Sequence, residues 1–185
     1  MRWLALNVVL LTTIVLASAS TLAAEVFDFK GLRLGAPLSE VQRGEQYECH
    51  KADARLLTDI TCTLRPGSYI TIAGVPVSYF TLDFLKGRLV FIYVNFSPDQ
   101  FDDVLTAMVE KYKALNRRFT SQLQNRYGAK FTNVQFQWEN AASTMTLERF
   151  ASSLDSSKLH LALKSAEPEL ARRAAARAKI KRDDL

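Results

Sequence analysis

The clearest signal along the chain is a change of hydrophobic period. From Tyr69 to Phe96 apolar residues recur at every second position: Ile70, Ile72, Val77, Phe80, Leu82 and Phe84 form one candidate buried face. Val90, Ile92 and Val94 alternate with Phe91, Tyr93 and Asn95. A period of two is the signature of strands buried on one side, and Leu85-Lys86-Gly87 between the last two runs reads as a tight hairpin. The period then lengthens. Phe101, Val104, Leu105, Met108, Tyr112 and Leu115 make a helical stripe. Ser97-Pro98-Asp99-Gln100 supplies the N-cap, a proline at the first helical position and a capping-box glutamine. The reading has the helix continue or restart through Arg117 to Tyr127 and stop at Gly128.

Strand spacing returns with Val134, Phe136 and Trp138, then Met145 and Leu147, then Leu159, Leu161 and Leu163, with 152–157 as a serine-rich loop. Upstream, EVFDFKGLRL reads as an opening strand ending at Gly35, and PLSEVQ as a short helix with Ser39 capping and Gln42 completing a capping box. QYECH and TDITCTL are short strands on either side of a loop. The fold class that follows is α+β: an antiparallel sheet with helices packed on one face, divided into two unequal α-β-meander repeats over 30–96 and 97–164.

The first 24 residues have a different character. Arg2 precedes an apolar run from Leu4 to Leu16, and small residues follow, including Ala17-Ser18-Ala19 and Thr21-Leu22-Ala23-Ala24. That layout is a secretory signal peptide over residues 1–24. Its apolar core is shorter than the ~20 residues that span a bilayer. Cleavage before Glu25 leaves 161 of the 185 residues, a single α+β domain over 25–164 with a tail over 165–185. The protein is expected to be periplasmic or secreted.

Export gives meaning to the only two cysteines, Cys49 and Cys62. Zinc needs more strong ligands than His50 and His160 add, and a redox pair is usually closer in sequence. A disulfide between Cys49 and Cys62 is the reading that remains, contributing about 3 kcal/mol by loop closure.

Charge sharpens the picture at one end only. The formal net charge is +5, yet residues 170–182 alone carry six cations, Arg172, Arg173, Arg177, Lys179, Lys181 and Arg182, and no acid. The body is nearly balanced, which argues against a nucleic-acid-binding core. The tail, opened by Glu167 and Glu169, reads as a basic helix in solvent, whose functional use would be contact with an anionic membrane surface.

LGAPLSEV followed by a meander containing LDFLKGRLVFIYV resembles the small bacterial module shared by the β-lactamase inhibitor protein and the outer-membrane assembly lipoproteins of the SmpA/BamE type. The resemblance spans roughly residues 30–164. It implies two helix-plus-meander repeats forming one curved sheet, with protein binding on its concave face. The inhibitors carry a cysteine pair in each repeat and the lipoproteins a lipidated N-terminal cysteine. This chain has neither, so only the architecture carries over.

No catalytic constellation is legible. His160 alternates with leucines in KLHLALK and is expected on an exposed strand face; Asp102 and Asp103 suit the start of a helix. No phosphate-cradling glycine loop, metal triad or cofactor motif is present in the sequence. The expected function is therefore binding of another envelope or extracellular protein, as adaptor or inhibitor. Outward-facing strand aromatics are the candidate contacts: Tyr79, Phe91, Tyr93 and Trp138. The alternative is an envelope-associated structural protein held to anionic surfaces by its tail.

Overall fold

The structure is a computed structural model that describes residues 25–113, 117–151 and 153–183, with side chains as far as Lys179 in the last helix. The predicted leader lies outside the described residues. The fold is α+β, built on one large antiparallel sheet.

The chain opens with a small hairpin, β1 (Asp28–Phe29) and β2 (Leu32–Arg33), instead of the single strand expected over this stretch. Lys30 and Gly31 both adopt positive φ, and the Gly31 amide donates to the Asp28 carboxylate. A two-residue turn with that geometry reverses the strand at once. Helix α1 (Leu38–Gln42) begins after Pro37, with no side-chain cap, so Ser39 lies inside the helix rather than capping it. A meander follows: β3 (Tyr47–Lys51), β4 (Ile60–Leu64), the short β5 (Thr71–Ile72), β6 (Val75–Leu85) and β7 (Arg88–Phe96).

Ser97 accepts a hydrogen bond from the Asp99 amide and opens a 3-10 turn, Pro98–Gln100, that leads into α2 (Phe101–Tyr112). A second meander is formed by β8 (Arg117–Gln124), β9 (Lys130–Glu139), β10 (Ser143–Glu148) and β11 (Ser157–Leu163). Helix α3 (Glu167–Asp183) ends the described chain.

Residues 117–124 are strand, which corrects the helical reading of this stretch. Phe119, Ser121 and Leu123 alternate with Thr120 and Gln122 and supply no helical stripe, and Asn125 organises a turn by accepting the Tyr127 and Ala129 amides. All eight residues pair with β9.

The strand order is β3-β4-β6-β7-β11-β10-β9-β8, with β5 paired to β6 alone. Each helix-led half therefore contributes a meander, and the two meanders meet through their last strands, β7 and β11. Cross-strand partners line up in continuous rows. Leu82, Ile92, Leu161, Met145 and Trp138 form one; Phe80, Val94, Leu159, Leu147 and Phe136 form the next. Nearly all of these side chains are buried below 4 %, under Phe101, Val104 and Met108 of α2 and Val41 of α1. At about 25 cal/mol per Å² of apolar surface, these two rows and the helices over them dominate the driving force for folding.

Val90 departs from the alternation that groups it with Ile92 and Val94. Phe84 pairs with Leu89 and Asp83 with Phe91, so Val90 is the extra residue of a bulge. It joins Leu85 and Ala166 in a separate small cluster, against which Leu170 of α3 packs. The hairpin at Lys86-Gly87 holds as expected, both residues with positive φ.

Cys49 and Cys62 face each other across β3 and β4 and are joined as a disulfide, Cα atoms 4.0 Å apart. Replacing both cysteines by alanine is expected to lower stability by about 3 kcal/mol, the loop-closure contribution of a ring this size. Urea denaturation of the two forms checks this; equal midpoints would show that the ladder alone fixes the hairpin.

Candidate functional site

The face of the sheet turned away from α1 and α2 carries the candidate site. Its rows are set by the same register as the core. Thr63, Thr81, Tyr93, His160, Thr146 and Gln137 form the first, and Thr61, Asp83, Phe91, Ala162 and Thr144 the second. Tyr79 and Asn95 lie one row beyond. Between its charged members, Glu48, His50 and Glu139 at the row ends and the Lys158–Glu148 ion pair in the row of Asn95, the face is rich in threonine and amide, with its aromatic groups concentrated where the two meanders join.

Tyr93 and His160 are directly opposed across that junction. Their rings stack 7° from parallel at 4.4 Å, and Phe91 lies 5.4 Å from the imidazole. The imidazole is not the exposed surface group expected from the sequence. Its Nε2 is buried and makes no hydrogen bond among the described residues. Burial, with a smaller contribution from the Lys158 cation, pulls His160 down to about 4. Asp83 is 5 % exposed and accepts a 2.6 Å hydrogen bond from the Thr61 hydroxyl; burial raises its carboxyl above the ordinary aspartate value. Burial and then the Asp83 charge push the Tyr93 phenol up to about 12. At neutral pH the junction therefore presents a neutral imidazole and a neutral phenol.

The four aromatic candidates separate into two groups. Tyr79, 56 % exposed, shares this face with the half-buried Phe91 and Tyr93. Trp138 does not: at 1 % exposed it is in the core, which corrects its assignment as a partner contact. It is in phase with Phe136, and that phase points inward. The Asp83 carboxylate has no local sequence signal, and His160, expected on an exposed strand face, is instead stacked with its Nε2 buried. The position of His160 opposite Tyr93 depends on the β7–β11 register, which no local pattern carries.

The basic tail is held against the body. Arg173 donates to the Asp59 carboxylate at 2.5 Å and to the Leu57 carbonyl, while Arg177 donates to the carbonyls of Arg55 and Leu56. Glu169 gathers Arg172, Arg173 and Lys86, and these cations hold its carboxyl far below the ordinary glutamate value. The arginines thus bind the loop enclosed by the disulfide. Lys179 is exposed, and the side chains of Lys181 and Arg182 lie outside the described residues.

No cluster of three or more metal-ligating side chains occurs among the described residues, and no helix among them is long and apolar enough to cross a membrane. Comparison with models of known families, with curated proteins and with solved structures finds no match for this chain.

Two outcomes follow from the site. Trp138→Ala is expected to cost about 3–5 kcal/mol by leaving a large core cavity, while Tyr79→Ala changes stability by no more than about 0.5 kcal/mol; thermal unfolding separates them. His160 takes up a proton in the unfolded chain near pH 6.5 but in the folded protein only near 4. Stability from this group is complete above about 6.5 and falls by about 2–3 kcal/mol as pH drops toward 4. His160→Phe should remove that segment of the stability–pH curve, and an unchanged curve would place the titration elsewhere.

Proposed function

We propose that this is an exported protein-binding module that engages its partner through the open face of the sheet, centred on Tyr79, Phe91 and Tyr93. The observation that carries the reading is the Tyr93–His160 stack with Phe91 beside it, on the face that α1 and α2 leave uncovered and that the start of α3 borders at Phe91 through the cluster of Leu85, Val90 and Ala166. Rigid aromatic rings set among threonine, amide and a few charged side chains suit a protein surface, because little conformational entropy is lost when they are buried. The neutral state of both rings removes the cost of desolvating charge. The Cys49–Cys62 disulfide fits an oxidising compartment, as export requires.

The helix-and-meander order occurs twice along the chain, in keeping with the resemblance to the inhibitor and assembly-lipoprotein module, whose members bind proteins. Attachment to anionic surfaces through the tail is the second reading. The engagement of Arg173 and Arg177 with the 55–59 loop weighs against it, since both cations would have to leave their acceptors.

The test places a photo-crosslinking residue at position 79 and, separately, at position 54 beside the tail, in cells exporting the full chain. A single protein crosslinked from position 79 but not from 54, with yield unchanged in high salt, is the expected result. Tyr93→Ala should weaken binding of that protein about 30-fold, equivalent to about 2 kcal/mol. Crosslinks confined to position 54, together with release from membranes by salt, would favour the tail.

A further inference from the structure

Strand β8 ends the sheet, and no described strand pairs with its outer side. Seven of its eight residues are exposed on both faces, all but Leu123. Edges of this length are normally blunted by proline, a bulge, a short run or charged side chains, and the only charges in β8 are Arg117 and Arg118 at one end. Here the β8–β9 register is unbroken and proline is absent. The opposite edge, β3, is five residues long, carries Glu48 and is tied to β4 by the disulfide. Among the described residues the two edges are therefore unequal, and β8 offers the longer, more regular row of main-chain donors and acceptors that no described strand pairs.

Charge identifies what that row would accept. Residues 117–138 contain four cations and no acid, and the next residue, Glu139, is paired with Lys164 and feels the Arg117 charge. Arg117 and Arg118 stand at one end of β8, and Arg126 and Lys130 at the turn end, while Phe119, Ser121 and Leu123 occupy the middle of the face shared with Asn133 and Gln135. Arg118 lies over the Phe136 ring of β9 at 5.6 Å, one strand in from the edge, and Arg126 lies over Tyr127 at 4.7 Å in the β8–β9 turn. A second copy pairing here would bring two such cationic edges together. An extended chain with acids at its ends and apolar or β-branched residues between them would meet opposite charge at both ends.

We infer that β8 is a strand-addition site for an acidic extended peptide segment of a partner protein, a surface distinct from the aromatic face. Main-chain bonding to the edge supplies affinity, and the arginine pairs at either end select acidic partners and set register. An eight-residue strand spans about 27 Å at 3.4 Å per residue, so a segment of that length reaches along the whole of β8.

The probe is the capped peptide Glu-Glu-Val-Thr-Val-Thr-Glu-Glu, titrated into the disulfide-bonded protein and followed by amide hydrogen exchange and binding isotherms. Newly slowed exchange confined to alternate amides of 117–124 is expected. Two N-methylated copies, one modified at odd and one at even positions, discriminate strand pairing from charge attraction: one should lose binding about tenfold or more and the other keep it, because only one set of amides faces the edge. Arg117→Glu with Arg118→Glu should weaken the parent peptide about tenfold, with near-ultraviolet circular dichroism confirming an intact fold. Equal binding by both methylated copies, absence of binding, or protection outside 117–124 would each overturn the assignment. So would tighter association with anionic phosphatidylglycerol vesicles than with the peptide, or a concentration-dependent dimer with β8 already protected.

Discussion

The pairing of β7 with β11 is the constraint on which the rest of the structure depends. These strands are the last of their respective meanders, and their register, Ile92 with Leu161 and Val94 with Leu159, joins two sheets into one. It also decides both surfaces at once. Because side chains alternate across a strand, the same register that completes the apolar rows beneath the helices places Tyr93 against His160 on the other side. A slip of one residue would turn the histidine in among the apolar rows beneath the helices and put the leucines on the opposite face. The candidate face is therefore fixed by the apolar rows beneath the helices, not by its own polar contacts.

Much of this was legible in local pattern. The two-residue hairpin at Lys86-Gly87, the stripe of α2 and the alternations over 134–138 and 159–163 each follow from a period and a turn residue within a short window. The disulfide followed from having two cysteines and too few ligands for anything else. The failures were also physical. Phe119 and Leu123 were too sparse to distinguish an exposed edge strand from a frayed helix, and β9 decided the matter by pairing with every residue. Val90 broke an otherwise regular alternation because a bulge inserts one residue without a sequence mark of its own. Trp138 carried two readings, core by its phase and contact by its chemistry, and phase prevailed.

The candidate site was less legible than the fold. Tyr79, Phe91 and Tyr93 were reachable from strand parity, but the stack with His160 and the burial of Asp83 depend on residues from opposite ends of the chain. The tail illustrates the same limit. Six cations with no acid read as a solvated helix, yet the acceptors that hold Arg173 and Arg177 are main-chain carbonyls of residues 55–57 and the Asp59 carboxylate, which composition does not reveal.

The central position of β7 also has a kinetic side. Ile92, Val94 and Phe96 are completely buried in the finished sheet, and β11 pairs along one side of them. Until residues 157–163 have been made and delivered, the first meander ends in an apolar open edge, the kind of surface that recruits other chains. At synthesis rates of about 5–20 residues per second, that interval lasts several seconds. The weak point of the protein is thus in time rather than in space, and whatever escorts the unfolded chain must cover 88–96 for that long.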